Sequence, residues 1–131
     1  MVITNALTTR PIPVYGDGKN VRDWLFVEDD CEALERILQD RVIGEIYNIG
    51  GESEINNPEL VGRICEILNE MRAITRLDDY KSLIKFVNDR PGHDRRYAMN
   101  ITKIQTQLGW KPRVTLDIGL QRTVAWYLNN V

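Results

Sequence analysis

Apolar residues recur along this chain with two different periods, and the switches between them outline its elements. Val2, Ile3 and Leu7 form the apolar tail of an element at the start of the chain. PIPVYG is a short extended run closed by the turn-rich GDGKN, and VRDWLFV is a second, so residues 11–27 read as two short strands around a loop. In EDDCEALERILQD, Val27, Cys31, Leu34 and Leu38 recur at helical spacing behind an acidic first turn, which suits the positive end of a helix dipole. GEIYNIGG has the β-branched and aromatic content of a buried strand ending in a glycine turn. Asn57-Pro58 opens a second helix, with Asn57 as cap and Pro58 in the first turn, where a missing N–H costs nothing. Leu60, Ile64, Ile67, Leu68 and Met71 line its expected buried stripe. LIKFV is another strand candidate. NITKIQTQLGW reads as a helix capped by Asn100 and stopped at Gly109, and TLDIGLQRTVAWYLNN as a last helix beginning at Thr115. Strands alternating with helices predict an α/β fold, a small sheet with packed helices in one region spanning residues 1–131.

Composition narrows the function. With 131 residues, 43% hydrophobic and 27% charged, the chain is expected to fold as about one domain that buries roughly two thirds of its unfolded surface. A formal net charge of -2 offers no electrostatic basis for binding nucleic acid or an anionic membrane. No stretch approaches the roughly 20 apolar residues of a membrane span. MVITNALTTR lacks the regions of a signal peptide, so a cytoplasmic location is expected. Cys31 and Cys65 each fall among apolar residues at helical spacing, which predicts reduced, buried thiols rather than a disulfide or a metal site. Trp24, Trp110 and Trp126 occupy apolar positions and read as core, and Asp29 and Asp30 as helix-start carboxylates rather than a catalytic pair. No glycine-rich strand-to-helix turn is visible. GDGKN cannot stand in for one, because no helical pattern follows it directly.

One stretch departs from this bland background. FVNDRPGHDRRYAMN places Arg90, Arg95, Arg96 and the only histidine, His93, around a Pro91-Gly92 turn in an otherwise acidic chain. Arg90 sits on a stiffened backbone, and its planar fork matches the paired oxygens of a diphosphate better than a lysine would. His93 is spaced to donate to a ribose or phosphate oxygen. The same residues also read as a solvated turn whose arginines pair with Asp89 and Asp94, each pair contributing ~0–1 kcal/mol. Arg22 has the same two readings, a strand-edge salt bridge beside Asp23 or a second phosphate ligand.

The run PVYGDGKNVRDWLFVEDDCEAL, followed by GEIYNIGG, DRPGHDRRYAMN, LGWKP and TVAWYL, closely resembles the C-terminal part of the dTDP-glucose 4,6-dehydratases over essentially the whole chain. These are NAD-dependent lyases within the extended short-chain dehydrogenase/reductase (epimerase/dehydratase) family of deoxysugar biosynthesis. VRDW and YNIGG are shared by many sugar-nucleotide enzymes, whereas DRPGHDRRYA with LGWKP is more specific. The resemblance implies a substrate-binding region for a dTDP-sugar. Thymine and deoxyribose would lie against Pro13, Val14 and Tyr15, and Asn57 would also contact the nucleotide. Arg22 would contact the diphosphate. The DRPGH run maps onto Asp89, Arg90, Pro91, Gly92 and His93, with Arg90 and His93 as polar ligands. Family members often carry a histidine where this chain has Glu52.

It also implies that the NAD-binding glycine motif, the Tyr-x-x-x-Lys pair and the Asp-Glu acid and base belong to an N-terminal Rossmann region outside these residues. Tyr80 and Lys81 are adjacent and do not replace that pair. No catalytic residue, metal or bound cofactor is therefore expected in the chain itself. The family reaction oxidises C4 of the hexose by hydride transfer to NAD, eliminates water across C5 and C6, and returns the hydride to C6. Residues 28–50 are expected to pack on the NAD-binding region, supplied by a separate chain or replaced by self-association. Alternative expectations are a non-catalytic nucleotide-sugar binding or assembly module, and another extended-family enzyme such as a UDP-sugar epimerase or decarboxylase.

Overall fold

The computed structural model describes residues 1–40, 43–72 and 77–131. Its strands are β1 (Ile12–Tyr15), β2 (Val21–Asp23), β3 (Glu54–Asn56) and β4 (Ile84–Val87). Its helices are α1 (Val2–Leu7), α2 (Val27–Gln39), α3 (Asn57–Met71), α4 (Thr102–Leu108) and α5 (Leu116–Asn130), with a 3₁₀ turn at Tyr80–Leu83. The fold is α/β, but the strands flanking the GDGKN loop do not pair with each other. β1 runs parallel to β4, with Ile12 opposite Ile84 and Tyr15 opposite Val87. β2 runs antiparallel to β3, with Val21 opposite Asn56. Two two-stranded sheets result among the described residues in place of a single small one.

Local signals account for the helices. Asn56, not Asn57, caps α3: its Oδ1 accepts the Glu59 N–H at 2.9 Å, and Asn57 takes the first helical position. The shift of one residue follows from Asn56 being the last residue of β3, already extended as a cap requires. Thr115 caps α5 by accepting from the Ile118 N–H, and α4 stops at Gly109, whose φ of 65° is left-handed. Ile101, not Asn100, is the N-cap residue of α4 and has no side-chain cap bond; Asn100 stands one residue earlier and accepts from the Thr102 N–H at 3.0 Å.

The main core joins α3 to α1, β1, the 3₁₀ turn and α5. Leu60, Ile64, Ile67 and Leu68 are buried with Ile3, Ala6, Ile12, Val14, Tyr80 and Val124. Met71, at the end of the predicted stripe, is exposed because α3 outruns the core there. A second cluster gathers Ala33 of α2 with Ile101, Ile104, Leu108 and Trp110.

Several expectations change here. The helix α2 forms, but its predicted stripe is the outward one: Val27, Leu34 and Leu38 are 64%, 50% and 78% exposed, and Cys31 is exposed with them. The helix is apolar on two sides, and α4 covers only the side carrying Ala33 and Ile37. GEIYNIGG is not a strand, since no strand among the described residues offers it a ladder. Side chains tether it instead, with the Tyr47 hydroxyl donating to Gln107 at 2.9 Å and Lys103 donating to Glu45 and to the Ile46 carbonyl. Trp110 is buried and Trp24 partly so, but Trp126 is 58% exposed at the far end of α5. Asp29 is buried at the start of α2 and accepts the N–H groups of Arg113 and Val114, so it fastens a loop rather than merely facing a helix dipole.

One knot explains why the chain has two adjacent glycines after YNI. The Asp23 carboxylate accepts the Gly51 N–H at 3.0 Å and the Ser53 N–H at 2.8 Å. A Cβ on Gly50 would overlap that carboxylate, and one on Gly51 would overlap the Trp24 carbonyl. Gly51→Ala is therefore expected to destabilise the chain by about 3 kcal/mol or more, read as a lowered urea midpoint; an unchanged midpoint would mean that this close approach is not needed. Cys65 is fully buried, and burial pushes its thiol up to about 11. A thiol-reactive reagent at neutral pH should therefore count one rapidly reacting cysteine, Cys31, and two only after denaturation; two rapid thiols in the folded chain would contradict the packing of α3.

Candidate functional site

The predicted site residues fall into two groups. Pro13, Val14 and Tyr15 of β1 and Asn57 of α3 line one cavity of about 170 Å³, closed by Trp24, Leu60, Val61 and the first residues of α1. Strand alternation decides their parts: Val14 is buried and forms a wall, whereas Tyr15 is exposed. Trp24 brings an indole N–H that is buried without a hydrogen-bond partner.

The second group is the charged turn after β4. The Asp89 carboxylate receives the His93 Nδ1 at 2.7 Å and the Arg90 N–H at 2.9 Å. The His93 contact first, and then the Arg90 N–H, hold the Asp89 carboxyl below its usual range. The His93 side chain is only 7% exposed, so Asp89 orients a shielded imidazole. No side-chain hydrogen bond or ion pair involves Arg90 among the described residues. The other two arginines are engaged: Arg95 pairs with Asp17 at 3.0 Å, and Arg96 takes Glu54 through two hydrogen bonds of 2.7 and 2.8 Å. The surface-turn reading thus holds for Arg95 and Arg96 with other partners than expected, since Asp89 takes His93 and the Asp94 carboxylate takes the Tyr97 hydroxyl.

Arg22 makes no ion pair among the described residues, and Asp23 is committed to Gly51 and Ser53 instead. Its guanidinium donates to the Val21 carbonyl at 2.7 Å and the Asp94 carbonyl at 2.9 Å, and lies 4.9 Å over the Tyr97 ring. The Tyr97 hydroxyl donates to Asp94 at 2.6 Å, and this bond, followed by the Asp94 charge, raises its pKa. Arg22 and Arg90 both act on the phenol in the opposite direction.

Backbone bonds bring the turn over the end of β1. The Gly16 N–H donates to the Val87 carbonyl at 2.9 Å, and Gly16, at φ 60°, leaves room for the Asp89 carboxylate where a Cβ would come within 2.8 Å of it. The Val21 N–H donates to the Arg95 carbonyl and the Tyr97 N–H to the Val21 carbonyl, at 2.9 and 3.0 Å. Sequence reasoning missed Asn20, which is 2% exposed and donates from Nδ2 to the Asp94 carbonyl at 3.0 Å. An asparagine inside GDGKN reads as a turn residue, and nothing local signals that it is buried.

A family model described as GDP-mannose 4,6 dehydratase matches residues 1–123. The chain is 50% identical over 130 residues to the dTDP-glucose 4,6-dehydratase of Xanthomonas campestris pv. campestris, covering 99% of this chain and 37% of that protein. Among solved structures, the dTDP-glucose 4,6-dehydratase of Bacillus anthracis in complex with NAD superposes with a TM-score of 0.83 at 43% identity, over 98% of this chain and 38% of that one. DesIV, the dTDP-glucose 4,6-dehydratase of Streptomyces venezuelae with NAD and TYD bound, gives a TM-score of 0.83 at 40% identity, over 98% and 37%. The chain thus spans a little over a third of the length of these relatives. No helix among the described residues is long and apolar enough to cross a membrane.

The residues present do not fit NAD. GDGKN leads into β2 rather than a helix, and the space beside Gly16 and Gly18 is filled by Asp89 and Pro58.

The Asp89 carboxyl is depressed below its ordinary 3.8, so its contribution is complete above that pH and is lost as pH falls through the lower folded value. Backbone ¹⁵N relaxation of Asp89, Arg90, Gly92 and His93 should stay constant from pH 7 to about pH 4 and show growing mobility below. In Asp89→Ala the turn should be mobile throughout; wild-type relaxation in that variant at pH 6 would show that the carboxylate does not hold the turn.

Proposed function

Because the chain belongs to the GDP-mannose 4,6-dehydratase family, we propose that it is the sugar-nucleotide-binding part of a dTDP-glucose 4,6-dehydratase. In this reading the base and deoxyribose occupy the cavity of Pro13, Val14, Tyr15 and Asn57, and the diphosphate lies against Arg22, Arg90 and His93. Asp89, Pro91 and Gly92 shape the turn that presents them. The observation that carries the reading is the guanidinium of Arg90. It has no side-chain partner among the described residues, while Arg95 and Arg96 are both ion-paired. Two cations without carboxylates among the described residues, together with a cavity walled by aromatic and apolar side chains, match the two ends of a nucleoside diphosphate.

The activity of the whole enzyme, conversion of dTDP-glucose to dTDP-4-keto-6-deoxyglucose, requires an NAD-binding region that supplies the hydride acceptor and the acid and base. The outward stripe of α2, with Ile43 and Ile46 at 95% and 82% exposure, supports docking of that region on residues 28–50. Alone, the chain binds substrate and performs no chemistry.

Calorimetric titration tests this. The chain should bind dTDP in preference to UDP, and Arg90→Ala should weaken binding by ~1.5–3 kcal/mol with an unchanged circular dichroism spectrum. Equal affinity for UDP would move the reading toward a UDP-sugar enzyme, and no binding by the folded chain would overturn the assignment of these residues as a self-sufficient nucleotide site.

A further inference from the structure

Asn20 stands where the two ends of the site meet. Its backbone carbonyl accepts the Asn57 N–H at 3.3 Å, at the start of α3 and beside the cavity. Its side-chain Nδ2 donates to the Asp94 carbonyl at 3.0 Å, in the charged turn. That carbonyl also receives Arg22 at 2.9 Å, so a single acceptor is gripped by a buried amide and by a cation of the site. The residue that follows, Val21, exchanges two backbone bonds with Arg95 and Tyr97. Elsewhere in the GDGKN loop, Asp17 pairs with Arg95 at the surface, Gly16 donates its N–H to the Val87 carbonyl and leaves room for Asp89, and Gly18 leaves room for Pro58.

The amide is an inefficient way to stabilise a fold. It is 2% exposed, yet its Oδ1 has no hydrogen-bond partner among the described residues. A buried acceptor left unmade costs more than a single neutral hydrogen bond contributes. What the side chain does supply is geometry, since a short planar amide held at both ends of the residue sets the separation between Asn57 and Asp94.

We propose that Asn20 is a positioning residue that fixes the charged turn at a set distance from the base cavity, so that Arg22, Arg90 and His93 face the same ligand as Pro13 and Asn57. The proposal rests on the nucleotide-site reading above, and it touches no ligand atom itself.

The test pairs amide hydrogen exchange with dTDP titration in Asn20→Ala. Protection at Val21 and Tyr97 should fall tenfold or more while that of Ile64, Cys65 and Leu68 in α3 stays at wild-type level, and the Kd for dTDP should rise tenfold or more. If the alanine variant does not fold, Asn20→Ser, which keeps a short donor, is measured in the same way, with losses at the same two amides. Unchanged protection at Val21 and Tyr97, a uniform loss across all amides, or a local loss with unaltered affinity would each overturn the positioning role. If the wild-type chain binds no dTDP, the nucleotide reading fails by itself, and the exchange pattern still decides whether Asn20 holds the turn.

Discussion

The parallel register of β1 on β4 is the constraint on which the rest of this structure depends. It joins Tyr15 to Val87 across a long stretch of sequence, and the chain just beyond continues the contact, the Gly16 N–H donating to the Val87 carbonyl and the Asp89 carboxylate packing against Gly16. A parallel pair needs a long crossover, and here the crossover carries α2, β3 and α3, of which α3 alone supplies half of the buried residues of the main core. Pro13 lies inside β1 without an N–H to donate, which a strand with only one partner tolerates. The charged turn is therefore held by main-chain hydrogen bonds before any side chain is considered.

Side chains then sort the charge. Among the basic groups clustered in the turn, Arg95 and Arg96 are paired with Asp17 and Glu54, and His93 with Asp89. Among the described residues, Arg90 and Arg22 are left without a carboxylate. Arg22 instead directs its donors to carbonyls and its face to Tyr97, an arrangement that orients the cation without cancelling it. A chain of net charge -2 thus keeps a small positive spot.

Much of this was legible in the sequence where the determinants are local. α3, α4 and α5 follow from apolar spacing and from Asn, Thr and Gly at their ends, with an error of one residue at the start of α3, capped by Asn56, and at the start of α4, where Ile101 holds the cap position. The unusual density of Arg and His after LIKFV marked the charged turn, but its division into paired and unpaired arginines depends on Asp17 and Glu54, which are remote in sequence. Strand pairing was not legible for the same reason: β1 and β2 look like a hairpin, yet each finds its partner elsewhere. GEIYNIGG has strand composition, but composition cannot supply a neighbouring ladder. α2 has two apolar faces, and spacing alone cannot say which is covered. The proposed division into a base end and a phosphate end came from resemblance, and Asn20 from neither.

The pairs Arg95–Asp17 and Arg96–Glu54 both face solvent, with side chains between 35% and 62% exposed. Added salt shortens the reach of charges in water to roughly 8 Å at 0.15 M, so such pairs fade with ionic strength. Backbone bonds from Gly16, Val21 and Tyr97 do not. Shape and attraction in this turn are consequently carried by different forces: a saline solution weakens the pull of Arg22 and Arg90 on an anion while leaving the frame that aims them in place.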